Sequence, residues 1–319
     1  MSENSRPRTP GSNDGSARLP LVYHEAYEVD IGPHVFPTSK YRLVLERLRA
    51  EGLLERIALH RPEPATDDEI LLVHMPEWVR KLNSGDLSAH EQFTLEVPWS
   101  EALVRAAWLC AGGSILTARL AVQTGVALHL GGGFHHAFPG HGEGFCAIND
   151  AAVAIRVLQR EGMIGRAIVI DLDVHHGNGT AAIFADDPAV FTLSFHQENN
   201  YPWPKPPGDL DLGLDDGTED EPYLTLLDEH LPAVLDKRRP DLALYLAGAD
   251  PYESDQLGGL GLTLAGLRRR DARVLGALSS RGIPAAVCLA GGYAFDRDDT
   301  ISIHAATVET AAATLQGVT

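Results

Sequence analysis

A short apolar run, Ala167-Ile168-Val169-Ile170, ends abruptly in Asp171-Leu172-Asp173-Val174-His175-His176-Gly177-Asn178-Gly179. The run has the character of a buried strand, and its end has that of a ligand cluster. Side chains alternate along a strand, so Asp171, Asp173 and His175 share one face. Three titratable groups converging where a core ends are costly to desolvate unless a cation holds them. Carboxylate together with imidazole suits a divalent metal such as zinc.

The same pattern recurs along the chain. Val126 to Leu130 runs into Gly131-Gly132-Gly133, and Val190 to Phe195 into His196. Leu242 to Ala247 runs into Gly248-Ala249-Asp250, and Ala285 to Leu289 into Gly291-Gly292-Tyr293. Short apolar runs of this kind read as strands covered on both faces, as in a parallel sheet. Helical periodicity fills the gaps. Ser100 to Thr124 carries Leu103, Ala107, Cys110, Ser114 and Ala118 along one side, and Asp150 to Arg160 follows an N-cap at Asn149 or Asp150. Pro222 to Leu235 and Leu264 to Ser280 are further helices. The alternation predicts an α/β fold with a mostly parallel central sheet and helices on both faces. No linker or internal repeat divides the chain. Residues 1–18, rich in Ser, Gly, Pro and Asn, are expected to be a disordered tail, and 19–319 a single catalytic domain. The acidic stretch from Asp209 to Glu221 is expected to be a solvated loop.

Every polar cluster thus follows the carboxyl end of a strand, where open parallel sheets place their active sites. Asp173, His175 and Asp250 are the candidate metal ligands, leaving an open position for water or substrate. A buried ion pair is the plainer alternative for Asp173 and His175, and a turn or N-cap for Asp250, which precedes Pro251. The tandem His135-His136 after a glycine turn offers a proton shuttle near neutrality. Tyr293 could donate to a developing oxyanion, or simply cap the core. His176 is assigned a supporting or packing role.

Composition narrows the partners. With a formal net charge of −18 and a pI of about 5.1, the chain disfavours phosphate backbones, while its charge says nothing against a cationic peptide or amine substrate. The three cysteines, Cys110, Cys146 and Cys288, are far apart. They suggest reduced thiols in a cytoplasmic protein rather than a disulfide framework. No stretch reaches the roughly 18 apolar residues of a membrane span, and the N-terminus lacks the apolar region of a secretory signal.

These motifs together resemble the histone deacetylase superfamily, with its arginase–deacetylase fold. The matching stretches are Gly132 to His136, Gly144-Phe145-Cys146-Ala147-Ile148-Asn149-Asp150, Asp171 to Gly179, Gly248 to Pro251 and Gly291 to Tyr293. The chain looks most similar to class IV, through His34-Val35-Phe36-Pro37-Thr38-Ser39-Lys40 and Asp255-Gln256-Leu257-Gly258-Gly259-Leu260. Bacterial deacetylase-like amidohydrolases and acetoin-utilisation proteins are near neighbours. The resemblance implies zinc, with iron(II) as an alternative, on Asp173, His175 and Asp250. It implies His136 as the general base and acid, His135 as its neighbour paired to Asp171, and Tyr293 as the donor to the carbonyl oxygen. Gly144, Phe145, Tyr201 and Leu257 match substrate-tunnel positions. A structural potassium ion is implied on Asp171, Asp173, His175, Ser194 and Phe195, largely through carbonyl oxygens. Asn178 stands where class I carries an aspartate facing the second histidine; class II and IV relatives share the asparagine.

The implied reaction is metal-dependent hydrolysis of an N-acyl-lysine-type amide, with acetyl or a long fatty chain as the acyl group. Acetylpolyamine hydrolysis on the same site is one alternative, with Glu253 and Asp255 near the tunnel position Leu257. A catalytically silent metal- or acyl-binding protein is another. The ureohydrolase branch of the fold would need further carboxylates where His176 and Asn178 stand.

Overall fold

The computed structural model describes residues 18–317. The expected tail, residues 1–18, lies outside the described residues except for Arg18. Among the described residues, eight strands form one sheet: β1 (Leu19–Val22), β2 (Ile57–His60), β3 (Val126–His129), β4 (Ala167–Asp171), β5 (Val190–Gln197), β6 (Leu210–Leu214), β7 (Leu242–Leu246) and β8 (Ala285–Cys288). Their spatial order is β2-β1-β3-β8-β7-β4-β5-β6, and every strand pair is parallel. Because all strands point the same way, their carboxyl ends share one edge, and β3, β8, β7 and β4 stand side by side in its centre.

The helices are α1 (Lys40–Ala50), α2 (Asp67–Ile70), α3 (Pro76–Ser84), α4 (Ala89–Leu95), α5 (Glu101–Thr124), α6 (Asp150–Arg160), α7 (Asn178–Phe184), α8 (Asp220–Arg238), α9 (Leu264–Ser279) and α10 (Arg297–Leu315). Their starts follow from capping chemistry. The Ser100 side chain accepts from Leu103 N, Asn149 from Ala152 N and Thr263 from Gly266 N. Thr66–Glu69 and Ser88–Glu91 form reciprocal capping boxes.

Two cores result, one on each side of the sheet. Ile168 and Ile170 of β4 pack with α1, α8, α9 and α10, while Ala167 and Val169 pack with α3, α5 and α6. The period of two continues past the strand: Leu172 and Val174 still enter the first core, although β4 ends at Asp171. Alternation therefore turns Asp171, Asp173 and His175 away from that core, as their spacing predicts.

One expectation fails. The stretch from Asp209 to Glu221 is not a solvated loop, because Leu210–Leu214 forms the edge strand β6 and α8 begins at Asp220. Leu210, Leu212 and Leu214 alternate inward between exposed Asp211 and Gly213, so an acidic face hides a half-buried strand.

Candidate functional site

The loop after β4 and the loop after β7 meet at Asp173, His175 and Asp250, each offering one ligand-type atom within 4.8 Å of the others. His175 Nδ1 lies 3.0 Å from Asp173 Oδ1 and 3.6 Å from Asp250 Oδ2. Backbone donors hold the other carboxylate oxygens. Val174 N donates to Asp250 Oδ1 at 2.9 Å, and Gly291 N donates to Asp173 Oδ2 at 2.9 Å. Asp250 is wholly buried and its Oδ2 has no hydrogen-bond partner. An orphaned buried carboxylate oxygen is rare and costly, and a cation would satisfy it. Burial, followed by the neighbouring Asp173 charge, pushes the Asp250 carboxyl up to about 7. Two carboxylates sharing one dry site cannot both ionise comfortably without a counter-charge. The donor set, two carboxylates and one imidazole, fits a zinc-class ion with an open position.

The tandem histidines come from the loop after β3. Asp150, at the start of α6, accepts from Gly133 N at 3.1 Å and Phe134 N at 2.8 Å, which pins the turn preceding them. His135 Nδ1 meets Asp171 Oδ2 at 2.6 Å, and His136 Nδ1 meets Asn178 Oδ1 at 2.7 Å. The two Nε2 atoms are 3.1 Å apart. Burial lowers the His135 pKa, but Asp171 and Asp173 outweigh it and raise it to about 9. Burial, then the charges of His135 and His175, hold His136 well below its ordinary value. One consistent proton arrangement follows. His135 donates to Asp171, while neutral His136 donates from Nδ1 to Asn178 and keeps its Nε2 lone pair as the basic site.

Asn178 is itself held. Its Nδ2 donates to Glu143 Oε1 at 2.6 Å, and the Tyr201 hydroxyl donates to the same oxygen at 2.9 Å. A carboxylate therefore stands one residue behind the asparagine. Glu143 was missed from sequence, where a lone glutamate before Gly144 carries no signal of its own.

These groups wall a cavity of about 240 Å³. Phe36, Phe134, His135, His136, Gly144, Phe145, Asp173, His175, Tyr201, Leu257 and Tyr293 line it, so every expected tunnel position is present. Gly144 has φ of +51°, and a Cβ there would stand 2.8 Å from His136 Cδ2, so only glycine fits. Asn200 Nδ2 ties two walls together by donating to Leu257 O at 2.8 Å. Asp255 accepts from Leu257 N at 2.8 Å and Tyr293 N at 2.7 Å, and so positions both residues. Burial, then the Asp173 and Asp250 charges, hold the Tyr293 phenol well above its ordinary value, which keeps it a proton donor. Behind Tyr293, the fully buried Lys40 places Nζ 5.6 Å from the ring centroid and donates to Ala290 O at 2.6 Å. Ser194 and Phe195 lie on β5, where Ser194 pairs with Asp171 across the sheet.

The family model for the histone deacetylase domain matches residues 34–309. The chain belongs to the histone deacetylase family. An uncharacterized protein of Picosynechococcus is 42% identical over 90% of this chain and 96% of its own length. Histone deacetylase 2 of Arabidopsis thaliana is 31% identical over 87% of this chain and 75% of its own. The acetoin utilization protein AcuC of Bacillus subtilis is 32% identical, covering 76% and 69%. Among solved structures, the crystal structure of the HDA15 HD domain superposes with a TM-score of 0.79 at 25% identity, covering 95% of this chain and 90% of that one. The eight-stranded parallel sheet is thus the arginase–deacetylase fold of this family, and the chain is a deacetylase-family hydrolase. No helix among the described residues is long and apolar enough to cross a membrane.

Proposed function

We propose that this histone deacetylase family member hydrolyses N-acyl-lysine-type amides with a zinc-class ion on Asp173, His175 and Asp250. The observation that carries the reading is that one cavity is lined by Asp173, His175, His136 and Tyr293, with buried Asp250 clustered against the first two. The ion would supply Lewis acidity to the amide carbonyl and the attacking water. His136, neutral and oriented through Asn178, takes the proton of that water and passes it to the leaving amine. His135, carrying its proton against Asp171, keeps His136 neutral and ready to accept that proton. Tyr293 donates to the developing oxyanion. Gly144, Phe145, Tyr201 and Leu257 flank the lysine methylenes.

The remaining readings rest on the same resemblance. A potassium ion would sit beneath the site on Asp171, Asp173, His175, Ser194 and Phe195. We place the chain near class IV on its stretch from His34 to Lys40, which contributes Phe36 to the cavity and Lys40 behind Tyr293. We further infer that residues 19–319 act as one catalytic domain in the cytoplasm, with no nucleic-acid partner.

The walls favour a short acyl group. The cavity of about 240 Å³ must hold lysine methylenes and acyl chain together. The adjoining apolar pocket behind Phe36, Phe134 and Phe145 holds only about 40 Å³. That is room for a few water-sized groups. A fatty chain would require these rings to turn aside. For a polyamine, Asp255 is an unsuitable gatekeeper, since backbone donors already occupy its carboxylate. Parallel assays of an acetyl-lysine peptide and acetylspermidine, with and without added zinc, test the proposal. Zinc-dependent cleavage of the peptide supports it, and cleavage of acetylspermidine alone contradicts it.

A further inference from the structure

Among the described residues, two more clusters of metal-ligating side chains lie outside the cavity. His129, Asp150 and Cys288 form one, but the Ser114 hydroxyl occupies its centre. It bonds to Asp150, lies 3.1 Å from His129 Nδ1 and 3.6 Å from Cys288 Sγ. That cluster is already filled by protein. The other joins the loop after β4 to the outer edge of the sheet. There His176, His196 and Asp211 each offer a ligand atom within 4.8 Å of the others. We infer that His176, His196 and Asp211 form a second site for a divalent ion of the zinc class, with Glu198 beside His196 as a neighbouring carboxylate.

The separations are those that two ligands of one ion would show. His176 Nε2 stands 3.3 Å from Asp211 Oδ1. Charge-assisted bonds are shorter, about 2.7–2.9 Å. Two ligands about 2.0–2.1 Å from a tetrahedral zinc stand roughly 3.3 Å apart. The catalytic ligands show comparable separations, 3.0 and 3.6 Å. His176 is 1% exposed, and its second nitrogen, Nδ1, has no partner. Its ring abuts that of His196, with centroids 4.7 Å apart.

The surroundings prepare the donors. Ser194 Oγ holds His196 Nδ1 at 3.0 Å, which leaves Nε2 facing Glu198 Oε2 at 3.8 Å. A metal-bound histidine commonly engages its other nitrogen in this way. Gly208 N donates to Asp211 Oδ2 at 2.7 Å, so Oδ1 is the oxygen turned to His176. Across the sheet edge His196 pairs with Gly213, where a Cβ would meet Glu198 Oε2. Glycine at that position leaves the carboxylate room over the strand. The side chains of Asp211 and Glu198 are 27% and 55% exposed, which gives the ion a way in from solvent.

The test is metal stoichiometry on the full chain, stripped of metal and titrated with Zn²⁺ by calorimetry and with Co²⁺ by visible absorbance. The native chain is expected to take up two equivalents. Asp250→Asn, which damages the cavity cluster, should keep one, and His196→Gln combined with Asp211→Asn should keep the other. Glu198→Gln, on an exposed side chain that threatens no core, should weaken only the outer ion, by about tenfold. A single equivalent in the native chain, lost in Asp250→Asn, overturns the second site and leaves the deacylase reading intact. Two undiminished equivalents in both outer-site variants overturn it as well.

Discussion

Gly291 tests the candidate metal centre with a single methyl group. Its φ lies outside the left-handed region, so alanine meets no backbone strain there. A Cβ at this position would stand 1.9 Å from Asp250 Oδ2 and 2.5 Å from Asp173 Oδ2, where real contacts essentially never fall below 3.0 Å. The two ligand carboxylates must therefore part by about an ångström in Gly291→Ala, and a misplacement of that size costs roughly 10²-fold in a positioned site. Zinc affinity is expected to fall by about 100-fold, which corresponds to about 3 kcal/mol. Overpacking should cost the fold only about 1–3 kcal/mol, so the variant remains measurable. Zinc affinity would be read by competition with a chelator, and turnover at limiting and saturating zinc. Gly276→Ala on α9, whose Cβ meets nothing within 4 Å, is the control and should bind zinc normally. Wild-type affinity and turnover in Gly291→Ala would refute the placement of an ion between these carboxylates.

Tyr293→Phe should lower kcat by roughly 10²–10³ with KM and zinc content unchanged, if the phenol donates to the oxyanion; near-normal turnover removes that role. Glu143→Ala and Asn178→Ala should each lower turnover by about 10–100-fold. Because both act on His136 through one chain of hydrogen bonds, the double variant should be little worse than Asn178→Ala alone, whereas full additivity would separate them. Lys40 carries a pH signature. Burial lowers its pKa from 10.5 to about 8, although Asp250, Asp173 and Asp255 oppose the shift. Between pH 8 and 10.5 the unfolded chain therefore binds more protons than the folded one, and stability from this group rises with pH. Relative to Lys40→Met, wild-type unfolding free energy should climb by about 3 kcal/mol across that window. Denaturant curves at pH 7.5 and 10.5 that give wild type and Lys40→Met the same change in unfolding free energy would contradict a buried lysine with a lowered pKa.

The parts of the molecule that chemistry and periodicity mark together were legible in the sequence. β4 and β7 are continuous apolar runs because both faces are covered, and their ends are polar because the sheet edge opens there. α5 declared itself by its length and by Ser100 at its N-cap. Other elements carry weaker marks. β1 and β2 have four residues each, too few to show a period. α10 is buried around most of its circumference, so no apolar stripe sets it apart. β6 was masked by its aspartates. Within the site, the metal-ligand and histidine motifs stood out because several rare groups share a short segment. Glu143 did not, and the positioning roles of Asp255 and Lys40 did not either, because each acts through a distant partner: Asn178, Tyr293 and Ala290. Separations of 35, 38 and 250 residues leave no local trace.

The most direct test of the central claim is turnover on one lysine peptide carrying acetyl, octanoyl or myristoyl groups, with the metal-stripped chain alongside. Zinc-restored cleavage that is fastest for acetyl is the expected result, given a cavity of about 240 Å³. Cleavage rising with chain length would retain the chemistry and contradict the packed walls of Phe36, Phe134 and Phe145. Absence of cleavage on all three peptides, with zinc bound, would contradict the deacylase account itself.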